Sequence, residues 1–166
     1  KSSLPVEEMR RRALEAPAPL NLAAAPCGDR LRLIAEVKKA SPSRGVIRHH
    51  FDPVAVATTY ADNGAAAISV LTESSYFGGS LDHLRGIKKA LGDRLPLLRK
   101  DFIYDPYQVY ESRVCGADGL LLIVAIMRPE RLVELLELGH ELGMSCLVEV
   151  HNWSKPTVTL KGGAGI

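Results

Sequence analysis

From residue 31 onward, short apolar runs alternate with stretches whose apolar residues recur every three or four positions. The first pattern predicts strands and the second amphipathic helices. Residues 33–38 read as a strand. Asp52-Pro53 then opens a helix, because an aspartate caps orphan N–H groups and proline fits the first helical position. Val56, Ala57, Tyr60 and Ala61 share one face of that helix, and Gly64 ends it. Residues 66–71 form the next predicted strand and 80–91 the next helix, closed by Gly92. A third strand at 96–100 leads to a second Asp-Pro start, Asp105-Pro106, and a stop at Gly116. A fourth strand at 119–126 precedes a clear amphipathic helix at 128–142, with Pro129 near its start and Gly143 after its end. Residues 145–150 make a fifth strand, and 157–160 a weak sixth.

Strands separated by helices demand a parallel sheet with crossovers, hence an α/β fold. Leu120-Leu121-Leu122-Ile123-Val124 is apolar without alternation, as a strand covered on both faces should be. A faint repeat supports a ring of similar units: Phe51-Asp52-Pro53 with Asn63-Gly64-Ala65 echoes Tyr104-Asp105-Pro106 with Cys115-Gly116-Ala117. Common helix punctuation explains the same echo, so periodicity leaves a barrel and an open doubly wound sheet both standing. No dinucleotide fingerprint or P-loop follows any strand, and Gly78-Gly79 and Gly162-Gly163 are too short to cradle a phosphate alone.

Charge removes some function classes. The chain of 166 residues carries 21 Lys+Arg against 19 Asp+Glu, a net +2, without the basic surplus of a nucleic-acid binder. The longest strongly apolar run, 119–127, is well short of the roughly 20 residues a spanning helix needs, so no membrane partner is expected. Cys27, Cys115 and Cys146 follow no metal or redox spacing and read as incidental thiols of a reducing cytoplasm. Arg10, Arg11 and Arg12 precede an Ala/Pro-rich stretch, but Glu7, Glu8 and Glu15 interrupt any targeting pattern. The cytoplasm is the expected compartment. Because the chain starts at Lys1, it is expected to be a fragment.

The candidate chemistry lies at the strand ends. Glu36 and Lys38 are two apart and share one face of the first strand. Lys100 ends the third strand and Glu149 lies near the end of the fifth. In a parallel sheet these ends converge on the rim where α/β folds bind ligands. Buried charges need partners or a ligand, and ammonium groups there suit an anionic substrate and acid catalysis, with carboxylates as bases or anchors. Lys38-Lys39 also reads as the solvated exit of a strand, and Lys100-Asp101 as a local surface pair. Ser41-Pro42-Ser43-Arg44-Gly45 reads as a polar turn or as a phosphate-facing loop, and Tyr76-Phe77 as a lid or as loop packing. The histidines show no ligand spacing.

These residues fall in longer blocks. Ile34-Ala35-Glu36-Val37-Lys38-Lys39-Ala40-Ser41-Pro42-Ser43 resembles the signature segment of the indole-3-glycerol-phosphate synthase family. The likeness continues through Ile68-Ser69-Val70-Leu71-Thr72-Glu73 with Tyr76-Phe77-Gly78-Gly79-Ser80, then Leu98-Arg99-Lys100-Asp101-Phe102-Ile103, then Ala117-Asp118-Gly119-Leu120-Leu121-Leu122-Ile123. Leu147-Val148-Glu149-Val150-His151 is its last block. The resemblance implies a TIM (β/α)8 barrel, here incomplete with about five βα units, and a cytoplasmic carboxy-lyase of tryptophan biosynthesis. The reaction implied is ring closure of 1-(2-carboxyphenylamino)-1-deoxyribulose 5-phosphate to indole-3-glycerol phosphate, with loss of carbon dioxide and water and no cofactor or metal. By likeness Lys100 is the acid at the substrate carbonyl, Glu149 the base of the dehydration, and Lys38 a substrate and proton-transfer contact. Glu36 orients the lysines, Ser41 faces the phosphate, and Phe77 and Leu121 wall the anthranilate ring. The implied partners are that small substrate and other tryptophan-pathway enzymes.

The same likeness sets expectations for organisation. Residues 1–30 are a helical or extended lead-in, 31–152 a partial barrel, and 153–166 a tail outside the matching blocks. Truncation is expected on the C-terminal side and at the N-terminus. A reading of a different class is a non-catalytic barrel fragment acting only through oligomerisation or pairing with a partner.

Overall fold

The computed structural model describes residues 4–27, 31–47 and 50–150. Five parallel strands form one sheet: β1 (Ile34–Val37), β4 (Ala67–Leu71), β5 (Leu97–Lys100), β6 (Gly119–Ile123) and β7 (Ser145–Glu149), adjacent in that order. Helices α2 (Pro53–Asp62), α3 (Leu81–Leu91), α4 (Pro106–Val114) and α5 (Pro129–Glu141) fill the four gaps between them. The predicted polar turn after β1 closes a two-residue antiparallel hairpin, β2 (Ala40–Ser41) with β3 (Gly45–Val46). The expected sixth strand at 157–160 lies outside the described residues.

Both Asp-Pro signals start helices as predicted. The Asp52 carboxylate accepts from the Val54 and Ala55 N–H groups, and Asp105 with Gln108 closes a reciprocal capping box. The fourth strand departs from expectation. It leaves the ladder at Ile123, its pair being Glu149, and residues 124–126 form a single 3-10 turn. Arg128 is extended, as the residue before a proline tends to be, and Pro129 then starts α5.

Alternation along the strands separates two faces. Val37, Ile68, Val70 and Leu97 pack with Ala57, Leu84 and Ile87 under α2 and α3. Leu120 and Leu122 pack with Val109, Leu132 and Leu135 under α4 and α5. Glu36, Lys100, Leu121 and Glu149 fall on the other face, out of phase with these core positions.

An N-terminal segment seals the end of the sheet where the strands begin. Helix α1 (Val6–Glu15) packs on α4, burying Met9 and Ala13, and the Tyr107 hydroxyl donates to the Leu4 carbonyl at 3.3 Å. The following stretch passes beneath β5 and β6. There Leu22, 5% exposed, packs with Ala67 and Leu98. Gly119 permits this approach, since an added Cβ would run into Leu22 Cδ2 and lie 2.8 Å from the Ser145 carbonyl oxygen. The fully buried Asp118 accepts from the Leu20 N–H at 2.9 Å and the Leu97 N–H at 2.8 Å. Lys88 supplies its counter-charge at 3.4 Å.

Candidate active site

At the opposite end of the sheet, charge converges from β1 and β5, the two strands that flank β4. Glu36 on β1 binds two lysines with separate carboxylate oxygens: Lys38 Nζ lies 2.6 Å from Oε1 and Lys100 Nζ 2.9 Å from Oε2. Lys38 follows Glu36 by two residues, while Lys100 arrives across β4, where Leu71 is its register partner. The Lys100-Asp101 surface-pair reading therefore gives way: Lys100 pairs with Glu36, and Asp101 pairs with Arg99 at 2.9 Å.

Partial burial pushes the Glu36 carboxyl upward, but hydrogen bonds from Lys38 and Lys100 and their positive charges outweigh it, so its pKa falls below the ordinary 4.5. A carboxyl depressed by folding contributes stability above its unfolded pKa and loses it as pH falls through the folded value. The difference in Tm between the parent and Glu36→Gln is thus expected to be largest above pH 4.5 and to shrink on acidification below it. Thermal melts of both proteins over a pH series check this. A difference that grows toward acid would reverse the assignment.

Beside Lys100 opens a pocket of about 250 Å³, lined by Leu71, Glu73, Phe77, Lys100, Asp101, Phe102, Leu121, Ile123 and Glu149. Five of these residues are apolar and four are charged, a combination suited to a small ligand with an apolar part and polar anchors. Four of the seven sequence candidates line it: Lys100, Glu149, Phe77 and Leu121. Glu36 and Lys38 lie outside the lining and connect to it through Lys100. Ser41 is not among the lining residues. It sits in the hairpin after β1 with its Oγ 3.5 Å from Ser43 Oγ.

The loop that delivers Phe77 is organised by Glu73, a residue without an assigned role at the sequence level. Its carboxylate accepts from the N–H groups of Ser75, Tyr76 and Phe77 at 2.7, 2.7 and 3.2 Å. Gly79 closes the loop; a Cβ there would lie 2.5 Å from the Leu71 carbonyl oxygen and 2.7 Å from that of Glu73. The Phe77 carbonyl also accepts from Ala40 N–H at 3.1 Å, linking this loop to the hairpin. Phe77 therefore belongs to the pocket, while Tyr76 is mainly exposed. Asp101 and Phe102 were likewise missed as lining residues, although they directly follow Lys100. His49 and His151 lie outside the described residues.

Among the described residues no helix is long and apolar enough to cross a membrane. The family model for indole-3-glycerol phosphate synthase matches residues 4–166. The indole-3-glycerol phosphate synthase of Dehalococcoides mccartyi strain CBDB1 is 56% identical over 168 residues, covering all of this chain and 65% of that protein. The Roseiflexus sp. strain RS-1 synthase is 56% identical over 169 residues, covering 98% of this chain and 62% of its own length. The Chlorobium chlorochromatii strain CaD3 synthase is 47% identical over 169 residues, covering 100% and 65%. The chain thus spans somewhat less than two thirds of the length of these relatives. With the lysine–glutamate cluster in place and this match across nearly its whole length, the chain belongs to the indole-3-glycerol phosphate synthase family.

Proposed function

We propose that this chain carries the acid–base end of an indole-3-glycerol-phosphate synthase site. It would act on 1-(2-carboxyphenylamino)-1-deoxyribulose 5-phosphate. The observation that supports this most is the Lys38–Glu36–Lys100 cluster, whose Lys100 lines an apolar pocket facing Glu149 on β7. An ammonium beside an apolar wall is suited to a substrate that combines an aromatic ring with anionic groups.

In this reading the ring stacks against Phe77 and Leu121. Lys100 gives a proton to the ketone oxygen while the ring carbon bearing the carboxylate attacks the ketone carbon. The bond to the carboxylate then breaks, its electron pair restores the aromatic ring, and carbon dioxide leaves. The new hydroxyl then leaves as water on receiving a proton from a lysine of the cluster, while Glu149 takes a proton from the neighbouring carbon bonded to nitrogen, which completes the indole. Glu36 holds both ammonium groups in place, Lys38 contributes substrate and proton-transfer contacts, and Ser41 lies on the phosphate side. General acid–base groups of this kind typically contribute about 10² to 10⁴ in rate.

The test is the fluorescence of indole-3-glycerol phosphate formed from that substrate by the purified chain. Turnover supports the reading. A folded chain without turnover, which gains it when extended to the length of its relatives, supports the same chemistry in the longer protein. Absence of product in both would leave the non-catalytic fragment reading.

A further inference from the structure

We propose that Arg99 is a positioning residue for Lys100, acting through a closed ring of side chains with Thr72 and Asp101; this rests on the reading of Lys100 as the acid. A lysine side chain has four flexible torsions, so the protein can aim it only by fixing its backbone and the far end of its ammonium. Glu36 takes the ammonium. The backbone on either side of Lys100 is taken by a different set of contacts on the helix-facing side of β5.

Arg99 is 3% exposed, and its guanidinium is shared among five partners. Nε donates to Thr72 Oγ1 at 3.0 Å and Nη2 to Asp101 Oδ2 at 2.9 Å. The Thr72 hydroxyl in turn donates to the same Asp101 oxygen, closing the ring. Lys100 is the residue between the two charged members, and its own carbonyl accepts from the Thr72 N–H at 3.1 Å. Asp101 Oδ1 accepts from Phe102 N–H at 2.9 Å, so the ring also sets the start of the next loop. Nη1 anchors the assembly to α4 through the Gln108 carbonyl, Glu111 Oε2 and Ser112 Oγ, at 3.1, 3.2 and 3.0 Å.

Stability alone does not call for this arrangement. Replacing a buried ion-pair network by well-packed apolar residues is often neutral or stabilising, and Leu97, the previous residue on this side of β5, is apolar. What an arginine fork adds is directional geometry at the residue whose ammonium must meet the substrate. Small misplacements at a reacting centre cost rate far out of proportion to their size.

The experiment compares Arg99→Lys, Thr72→Val and Thr72→Ser with the parent protein in two measurements. The first is turnover of the carboxyphenylamino-deoxyribulose phosphate substrate. The second is competitive acetylation by acetic anhydride, read by mass spectrometry as the rate at Lys100 relative to the exposed Lys89. Arg99→Lys and Thr72→Val are expected to lower kcat about tenfold with KM within about twofold, and to change the Lys100 labelling ratio about threefold. Thr72→Ser, which keeps the hydroxyl, should restore both. A folded Thr72→Val protein with parental kcat and labelling overturns the proposal, as does a labelling change shared equally by all lysines. If Arg99→Lys does not fold, the threonine pair decides. Where the parent shows no turnover, kcat and KM are read in the chain extended to the length of its relatives, and the labelling ratio still decides whether the ring positions Lys100; no turnover in the extended protein discards the functional reading alone.

Discussion

Replacing Lys100 with alanine is expected to lower kcat about a thousandfold, within the range of general acid–base catalysis, while the protein stays folded. The Lys100 side chain is 39% exposed and that of its partner Glu36 27%, so the ion pair is partly open to solvent. Pairs of that kind contribute about 0–1 kcal/mol, so little of the fold depends on it. Glu36 also keeps Lys38 as a partner at 2.6 Å, which spares the variant a stranded carboxylate. The pocket, by contrast, loses the ammonium beside its apolar wall, and neither Leu71 nor Leu121 can donate a proton. Turnover measured alongside a thermal melt separates the two effects. Parental turnover would remove Lys100 from the mechanism, and a collapsed melt would make it structural.

The largest expected effect on stability lies at the other end of the sheet. Asp118→Ala should cost about 3–5 kcal/mol, the range for breaking a buried charged pair by removing one partner. The carboxylate is fully buried and serves three groups: the Leu20 N–H, the Leu97 N–H and the Lys88 ammonium. Alanine leaves two amides without their acceptor, while the Lys88 ammonium keeps Asp93 at 3.2 Å. Asp118→Asn keeps an acceptor oxygen for one amide and should lose less. The midpoint of urea unfolding checks both variants. A loss under about 1 kcal/mol for alanine would mean that water replaces the carboxylate easily, contrary to a sealed site.

Much of this was legible in the sequence, for local reasons. Asp52-Pro53 and Asp105-Pro106 act within one helical turn, and Gly64 and Gly116 adopt the positive φ that ends helices, so their meaning needs no distant partner. The convergence of Glu36, Lys38, Lys100 and Glu149 followed from two rules, alternation within a strand and parallel order between strands. What could not be read depends on chain segments far apart. Arg99 reads as one more charge beside Lys100 until Thr72 and α4 are seen to surround it. The same holds for Glu73, whose value lies in the three N–H groups of a loop with no periodic signal. Ser41 sits in the hairpin after β1, next to Ala40, whose N–H donates to the Phe77 carbonyl of the pocket loop.

The stretch under the sheet has a consequence for how the chain acquires its structure. Leu20 pairs with a carboxylate 98 residues later, and the Ala23 N–H donates to Ser145 Oγ 122 residues later. On a ribosome, these early-made residues must wait until nearly the whole described chain has emerged before they find their partners. Contacts of such long separation close loops at high entropic cost and form late. The apolar Leu22 stays uncovered until its partners Ala67 and Leu98 have emerged, which makes the nascent chain a candidate for chaperone capture before β5 is made. Amide exchange at Leu20 and Ala23 during refolding should therefore lag behind that at Ile68 and Val70, whose strand finds its neighbours within about 30 residues.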